Sequence, residues 1–243
     1  MENTQSSNQF LKRTLITLLN ICLILVVMII GVVILGFTMP YLMPNLTMIM
    51  IRADNVIFWY LSRGSAIIGF IFLWLSTTMG LFITTRVGKT WPGMKISTEL
   101  HHFISILGLF FTGFHGFMLL GDAYMKPTPA QLITPFAFLN YRPISVGIGQ
   151  LAFYMWLILV LSFSIKKITG RKVWRAVHYI GFVAFLAGMA HGITSGSDTS
   201  LPWMQFIYWS SAASVLFLTI YRILMGSSVT KQQPGIEKNL INT

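Results

Sequence analysis

Residues 101–120 read HHFISILGLFFTGFHGFMLL, an apolar stretch that carries three histidines and no other ionisable side chain. Because about 20 predominantly apolar residues cross the hydrocarbon core of a bilayer as a helix, the stretch predicts a transmembrane helix. Ionisable side chains inside such helices are costly, and they usually face the protein interior. The stretch therefore predicts the kind of fold and also points to the residues that carry its chemistry.

The rest of the chain has the same character. Of its 243 residues, 55% are hydrophobic and 9% are charged, whereas a soluble domain carries about 25% charged residues. We therefore predict an all-α membrane protein, built as a six-transmembrane-helix bundle. The predicted spans are Leu15–Phe37, Val56–Thr84, His101–Leu120, Ile144–Ile165, Val173–Ile193 and Trp203–Tyr221.

The predicted domain organisation is simple. Residues 1–14 form an N-terminal tail, residues 15–225 form the transmembrane domain, and residues 226–243 form a C-terminal tail. The first apolar run is too long for a signal peptide and has no small-residue cleavage site after it, so we expect it to be retained.

The basic residues predict the orientation. Thirteen Lys and Arg lie on the side of the two tails and the even-numbered loops, counting the adjoining helix ends, and only Arg52, Lys126 and Arg142 lie in the other loops. Since basic residues concentrate on the cytoplasmic side, we expect both termini in the cytoplasm, in a bacterial inner membrane. The net charge of +11 then reflects contact with lipid headgroups. No basic face or motif indicates nucleic-acid binding.

Cysteine usage limits the cofactors. The single cysteine, Cys22, excludes a disulfide, a Cys-ligated zinc site and an iron–sulfur cluster within the chain. The Cys-x-x-Cys-His motif is also absent, so any haem is bound non-covalently.

The histidine spacing is the strongest functional signal. His101 and His115 are 14 residues apart, a rotation of about 1400° that leaves them on nearly one helix face and roughly 21 Å apart along the axis. The third and fifth spans run in the same direction, which brings His101 level with His178 and His115 level with His191. Two facing imidazoles at each level predict bis-histidine ligation of two b-type haems, held between the third and fifth helices.

Two features of the histidine pattern allow more than one arrangement. His178 and His191 are 13 residues apart, about 140° out of phase on a straight helix. A kink, a π-bulge or different side-chain reach has to close the gap, and three glycines give that helix local freedom. His102 is the alternative inner ligand, or an interfacial side chain that reaches water or a haem propionate.

Other interpretations of the histidines are weaker. The two levels are about 20 Å apart, so a single zinc or copper ion would reach at most three of these histidines, and no Asp or Glu lies in the two predicted spans. A haem-free helical bundle, used for transport or as an assembly subunit, would place the histidines in polar contacts between helices.

The segments ELHHFISILGLFFTGFHGF (residues 99–117) and VWRAVHYIGFVAFLAGMAHG (residues 173–192) resemble the ferric reductase-like transmembrane domain family. That family includes ferric reductases, NADPH oxidases and the bacterial haem subunit of the methionine sulfoxide reductase system. The resemblance implies an inner haem on His101 and His178 and an outer haem on His115 and His191. It also implies electron transfer from a cytoplasmic donor to an acceptor at the outer face.

By the same resemblance, three arginines are candidates for contact with haem propionates. Arg175 and Arg86 belong to the inner level, and Arg63 belongs to the outer level. Each has an alternative role as a topology anchor at the membrane surface.

The chain has no glycine-rich nucleotide motif, which the oxidase branch carries in a cytoplasmic region. We therefore expect a separate electron donor: a flavoprotein, a quinol or another redox subunit. The sequence predicts an oxidoreductase or an electron-transfer subunit that needs a partner. One alternative is a quinol-oxidising haem anchor for a periplasmic reductase, which would be the acceptor protein.

Overall fold

The computed structural model describes Tyr41, residues 56–85 and residues 93–231. The chain divides into two compact units, Met1–Ile57 and Phe58–Thr243, and the second holds nearly all of the described residues. The predicted first span, Leu15–Phe37, lies outside the described residues.

From residue 56 onwards, the described part of the chain is helical and contains no β-strand. Its helices are α1 (Val56–Thr85), α2 (Met94–Leu119), α3 (Pro129–Ile133), α4 (Pro143–His178), α5 (Ile180–Ser195) and α6 (Pro202–Lys231). Proline opens α3, α4 and α6, where its missing N–H costs little because the first turn of a helix has no internal acceptor for it. The predicted all-α fold is confirmed.

Five stretches of these helices are long and apolar enough to cross a membrane: Ile57–Thr85, Met94–Leu119, Pro143–Ser164, Ile168–Ser195 and Pro202–Leu224. They correspond to the second to sixth predicted spans. The third span begins earlier than expected, at Met94, because the polar residues before His101 continue the helix.

The chain reverses its direction within the range of α4, so that α4 consists of two helical arms. Gly170 has φ 79° and ψ 160°, a conformation outside the helical region that glycine adopts without a Cβ clash. The chain turns back around this glycine, which lies near the start of the span Ile168–Ser195 and after the span Pro143–Ser164.

The contacts between helices define two ends of the bundle. Arg63 of α1 meets Asp198, which follows α5, at one end, and Arg222 of α6 meets Tyr179 at the other. We call the second the basic end, because five basic residues lie in residues 166–175 around the Gly170 turn. The opposite end is called the far end.

The centre of the bundle is apolar and tightly packed. Leu73, Leu81, Trp156, Phe185, Val215 and Leu218 form its buried cluster. Gly108 lies midway between His101 and His115, and a Cβ there would be 2.5 Å from the Trp156 ring and 2.6 Å from Phe72. Trp156 therefore fills the space between the two histidine levels.

The outer surface is apolar as well. Phe206, Trp209 and Phe217 of α6 are 71%, 75% and 67% exposed. Large apolar side chains displayed along a long helix in this way suit a lipid environment.

A short segment after α2 is tied to α4 at the far end. Thr128 and Gln131 form a capping box at the start of α3. The Gln150 side-chain amide donates to the carbonyls of Gln131 and Leu132 at 2.8 Å, and its oxygen accepts from Phe136 N. Gln150 thereby satisfies backbone groups that would otherwise lack partners near the membrane.

Candidate functional site

The four histidines at the predicted spacing meet as two pairs. The ring centroids of His101 and His178 are 6.0 Å apart with an interplanar angle of 71°. Those of His115 and His191 are 6.4 Å apart with an angle of 60°. The pairing expected from the sequence is the pairing in the structure, one pair towards each end of the bundle.

The ring separations suit a planar metal cofactor between the two imidazoles. A metal–imidazole bond is about 2 Å long and each nitrogen lies about 1.1 Å from its ring centre, so collinear ligation places the two centroids roughly 6.2 Å apart. Both observed separations are within 0.3 Å of that value.

Three of the four rings are held in one tautomer by backbone carbonyls. Nδ1 of His101 lies 3.0 Å from Ser76 O, Nδ1 of His115 lies 2.9 Å from Ser62 O, and Nδ1 of His191 lies 2.8 Å from Ser145 O. A carbonyl only accepts, so Nδ1 carries the proton and Nε2 keeps its lone pair. Metal-bound histidines commonly donate their second ring N–H in this way.

The acceptor serines share a local pattern. Each is followed four residues later by a small residue: Ala66 after Ser62, Gly80 after Ser76, and Gly149 after Ser145. A helical carbonyl already accepts the N–H four residues ahead. A small residue at that position leaves space for an imidazole to reach the second lone pair.

The two serines on α1 and the two histidines on α2 have the same spacing along the chain. Ser62 and Ser76 are 14 residues apart, as are His101 and His115. The helices are antiparallel, so Ser76 meets His101 at the basic end and Ser62 meets His115 at the far end. The interface between α1 and α2 therefore orients one histidine at each level.

The phase difference between His178 and His191 coincides with a tightened turn at Tyr179, where the backbone stays in the helical region. α4 ends at His178, and α5 begins at Ile180. Around Tyr179 the backbone bonds are short-range, from Tyr179 N to Ala176 O and from Phe182 N to Tyr179 O. A local irregularity of the backbone therefore follows directly after His178.

His178 differs from the other three rings. Its Nδ1 is buried and has no hydrogen-bond partner among the described residues. Its ring stacks on Trp174, with centroids 4.7 Å apart and planes 25° apart. Lys166 Nζ lies 4.0 Å from the centroid of the Trp174 ring, which brings a positive charge close to the inner pair.

His102, the alternative inner ligand, contacts a phenylalanine instead. Its ring lies 3.9 Å from that of Phe163 and 6.1 Å from that of His101. The structure therefore pairs His101 with His178, with His102 beside them.

The candidate arginines have different surroundings. Arg63 binds both carboxylate oxygens of Asp198 through Nε and Nη2, and its guanidinium lies 4.8 Å from the centroid of the Trp59 ring. Arg175 is exposed. Arg86 lies outside the described residues. Propionate contact by these three side chains stays a prediction.

Within the described ranges, no group of three or more His, Cys, Asp or Glu side chains converges as metal ligands do. Each histidine level offers a pair. A zinc ion takes three or four protein ligands, whereas haem iron, already bound by four pyrrole nitrogens, takes two axial imidazoles. The donor set fits the haem interpretation.

Several contributors to the site were not predicted from the sequence. These are the carbonyls of Ser62, Ser76 and Ser145, the carboxylate of Asp198, and the ring of Trp174. A backbone carbonyl has no sequence signature of its own. The serine followed by a small residue four positions later is a weak signal, informative only once a facing histidine is known.

No family model, curated protein or solved structure matches this chain.

Proposed function

We propose that this protein is a di-haem b-type cytochrome that passes single electrons across a membrane. The observation that supports it is the geometry of two histidine pairs, with ring separations of 6.0 and 6.4 Å and three Nδ1 atoms bonded to carbonyls. Haem b bound at such pairs supplies a one-electron carrier at each level.

The residues of the chain have three tasks in this proposal. The four histidines would hold the two irons, and the carbonyls of Ser62, Ser76 and Ser145 keep Nε2 of three of them free to bind a metal. The backbone of α2 separates the two levels by about 21 Å along its axis. Trp156 and the apolar cluster around it exclude water from the space between the two levels. Side reactions of the transferred electron with water are thereby prevented.

We further propose that the chain is a stand-alone relative of the ferric reductase-like transmembrane domain family. In this proposal it has six spans, lies in a bacterial inner membrane and keeps both termini in the cytoplasm. The basic end then faces the cytoplasm. The basic end would receive electrons from a flavoprotein, a quinol or another redox subunit, and the far end would deliver them to an acceptor.

A haem count on the purified protein tests the proposal. The full chain is expressed in haem-supplied cells, and its reduced-minus-oxidised spectrum and pyridine adduct are measured against protein concentration. We expect two b haems per chain in the wild type. We expect one in His115→Ala and one in His191→Ala, because either change leaves the outer iron with a single axial ligand.

The paired variants give the decisive comparison. His115→Ala combined with His191→Ala should bind the same single haem as either change alone, since both ligands serve one iron. His115→Ala combined with His178→Ala should bind none. A folded wild-type protein without Soret absorption would refute the proposal and favour a haem-free bundle.

A further inference from the structure

Polar side-chain atoms that are buried and unpaired concentrate next to the paired histidines. Among the described residues there are four: Ser97 Oγ, Trp174 Nε1, His178 Nδ1 and Ser195 Oγ. Ser97 precedes His101 by four residues, Trp174 precedes His178 by four, and Ser195 follows His191 by four. Residues four apart lie on one helix face, one turn from each other.

At both levels the unpaired atom lies outward from its histidine, away from the centre of the bundle. Ser97 and Trp174 lie one turn beyond the inner histidines towards the basic end. Ser195 lies one turn beyond His191 towards the far end. All three therefore lie on the membrane-surface side of the ring that each accompanies, away from the centre of the bundle.

A buried donor without an acceptor is costly, and native proteins rarely keep one without reason. Trp174 Nε1–H can only donate, and the Ser97 hydroxyl is able to donate. Ser97 is fully buried, with 0% of its surface exposed. A ligand that approaches these atoms has to supply acceptor oxygens.

A positive charge lies beside Trp174 at the basic end. Lys166 Nζ lies 4.0 Å from the centroid of the Trp174 ring. At the far end, Arg142 donates to the carbonyl of Thr194, the residue before Ser195. Buried donors beside a cation favour a carboxylate over a neutral acceptor, because charge-assisted hydrogen bonds are the stronger ones.

We infer that Trp174 and Ser97, with Lys166, form the binding site for the carboxylates of the inner haem. This inference rests on the proposed function. One donor comes from each of the two helices that hold the iron. The site differs from the arginines expected from the sequence, since the contacts come from an indole N–H, a hydroxyl and an ammonium group.

The test compares haem b with its dimethyl ester, in which both carboxylates are masked. The His191→Ala chain, which keeps the inner pair, is loaded with either cofactor in detergent. Haem loss is then followed by the Soret spectrum after addition of excess apomyoglobin as acceptor. We expect Trp174→Phe and Ser97→Ala each to accelerate the loss of haem b roughly ten-fold and to leave the loss of the dimethyl ester unchanged.

Matched substitutions elsewhere serve as controls. Trp209→Phe changes an indole that is 75% exposed on α6, and Ser200→Ala changes an exposed serine. Neither should alter the loss of either cofactor. Lys166→Met should accelerate the loss of haem b alone, and it tests the charge independently of the two buried donors.

Each other outcome overturns the inference. Equal acceleration with both cofactors would mean that Trp174 and Ser97 pack against the macrocycle and do not bind its carboxylates. No acceleration with either cofactor would place the carboxylates elsewhere. Failure of the wild-type chain to bind haem would instead refute the proposed function, and the haem count before loading separates the two cases.

Discussion

The backbone of Gly149 lies directly against the imidazole of His191. A Cβ added at Gly149 would be 2.6 Å from both Cγ and Nδ1 of that ring, a separation that real Cβ atoms essentially never show. Ser145, one turn earlier on α4, accepts from the same Nδ1 at 2.8 Å. The missing side chain at position 149 is what allows the ring to reach that carbonyl.

We therefore expect Gly149→Ala to displace His191 and to lower the haem content from two per chain towards one. Gly80→Ala is the matched control, because its Cβ would lie at an ordinary 3.5 Å from His101 Cε1. The pyridine-adduct assay measures both. Equal haem loss in the two variants would show that the close contact at Gly149 does not orient the ring.

The two neighbouring histidines on α2 should behave differently. His101→Phe should remove the inner haem, since its ring faces His178 and its Nδ1 is bonded to Ser76 O. His102→Phe should keep two haems, because that ring packs on Phe163. Loss of a haem in His102→Phe, with two retained in His101→Phe, would assign the ligand to His102.

The ion pair of Arg63 and Asp198 should contribute to stability at the far end. The Asp198 side chain is 8% exposed and the Arg63 side chain is 30% exposed. Asp198→Asn leaves a partly buried guanidinium without its counter-charge, and we expect a loss of about 2–3 kcal/mol in the free energy of unfolding. Thermal denaturation in detergent, followed by circular dichroism, measures it.

Removing both charges should cost less than removing one. The double variant Arg63→Met with Asp198→Leu leaves no unpaired charge, so it should unfold at a higher temperature than Asp198→Asn. If the double variant unfolds at the lower temperature of the two, the ion pair stabilises the fold by more than the neutralisation of two charges.

Packing between the histidine levels should be sensitive to volume. Gly108→Ala brings a methyl group within 2.5 Å of the Trp156 ring and 2.6 Å of Phe72 Cβ. Overpacking of this kind costs about 1–3 kcal/mol, and we expect a lower unfolding temperature. Gly64→Ala is the control, since a Cβ there meets nothing within 4 Å. A larger loss for Gly64→Ala would contradict the packing argument.

The segment around α3 should depend on Gln150. Gln150→Leu keeps the bulk but removes three hydrogen bonds, to Gln131, Leu132 and Phe136. We expect faster amide hydrogen exchange in residues 129–136, because local opening then breaks fewer bonds. Exchange in the centre of α2 should not change, and faster exchange there as well would indicate a general loss of stability.

The sequence by itself determined the class of fold and which histidines meet. The apolar runs of α1, α2 and α6 predicted spans that are confirmed as helices of sufficient length. The spacing of His101 and His115 predicted the two levels at which histidines meet. Both inferences succeed because hydropathy and helical rotation are local properties, readable from a single segment.

Only the tertiary structure decided what orients and surrounds each ring. Three features have no local signature in the sequence: the carbonyl of Ser76 at His101, the tightened turn at Tyr179 and the stacking of Trp174 on His178. They depend on how helices are rotated and offset against one another, and packing of facing side chains sets that rotation. A backbone carbonyl is chemically the same at every position, so only its placement makes it an acceptor for one imidazole.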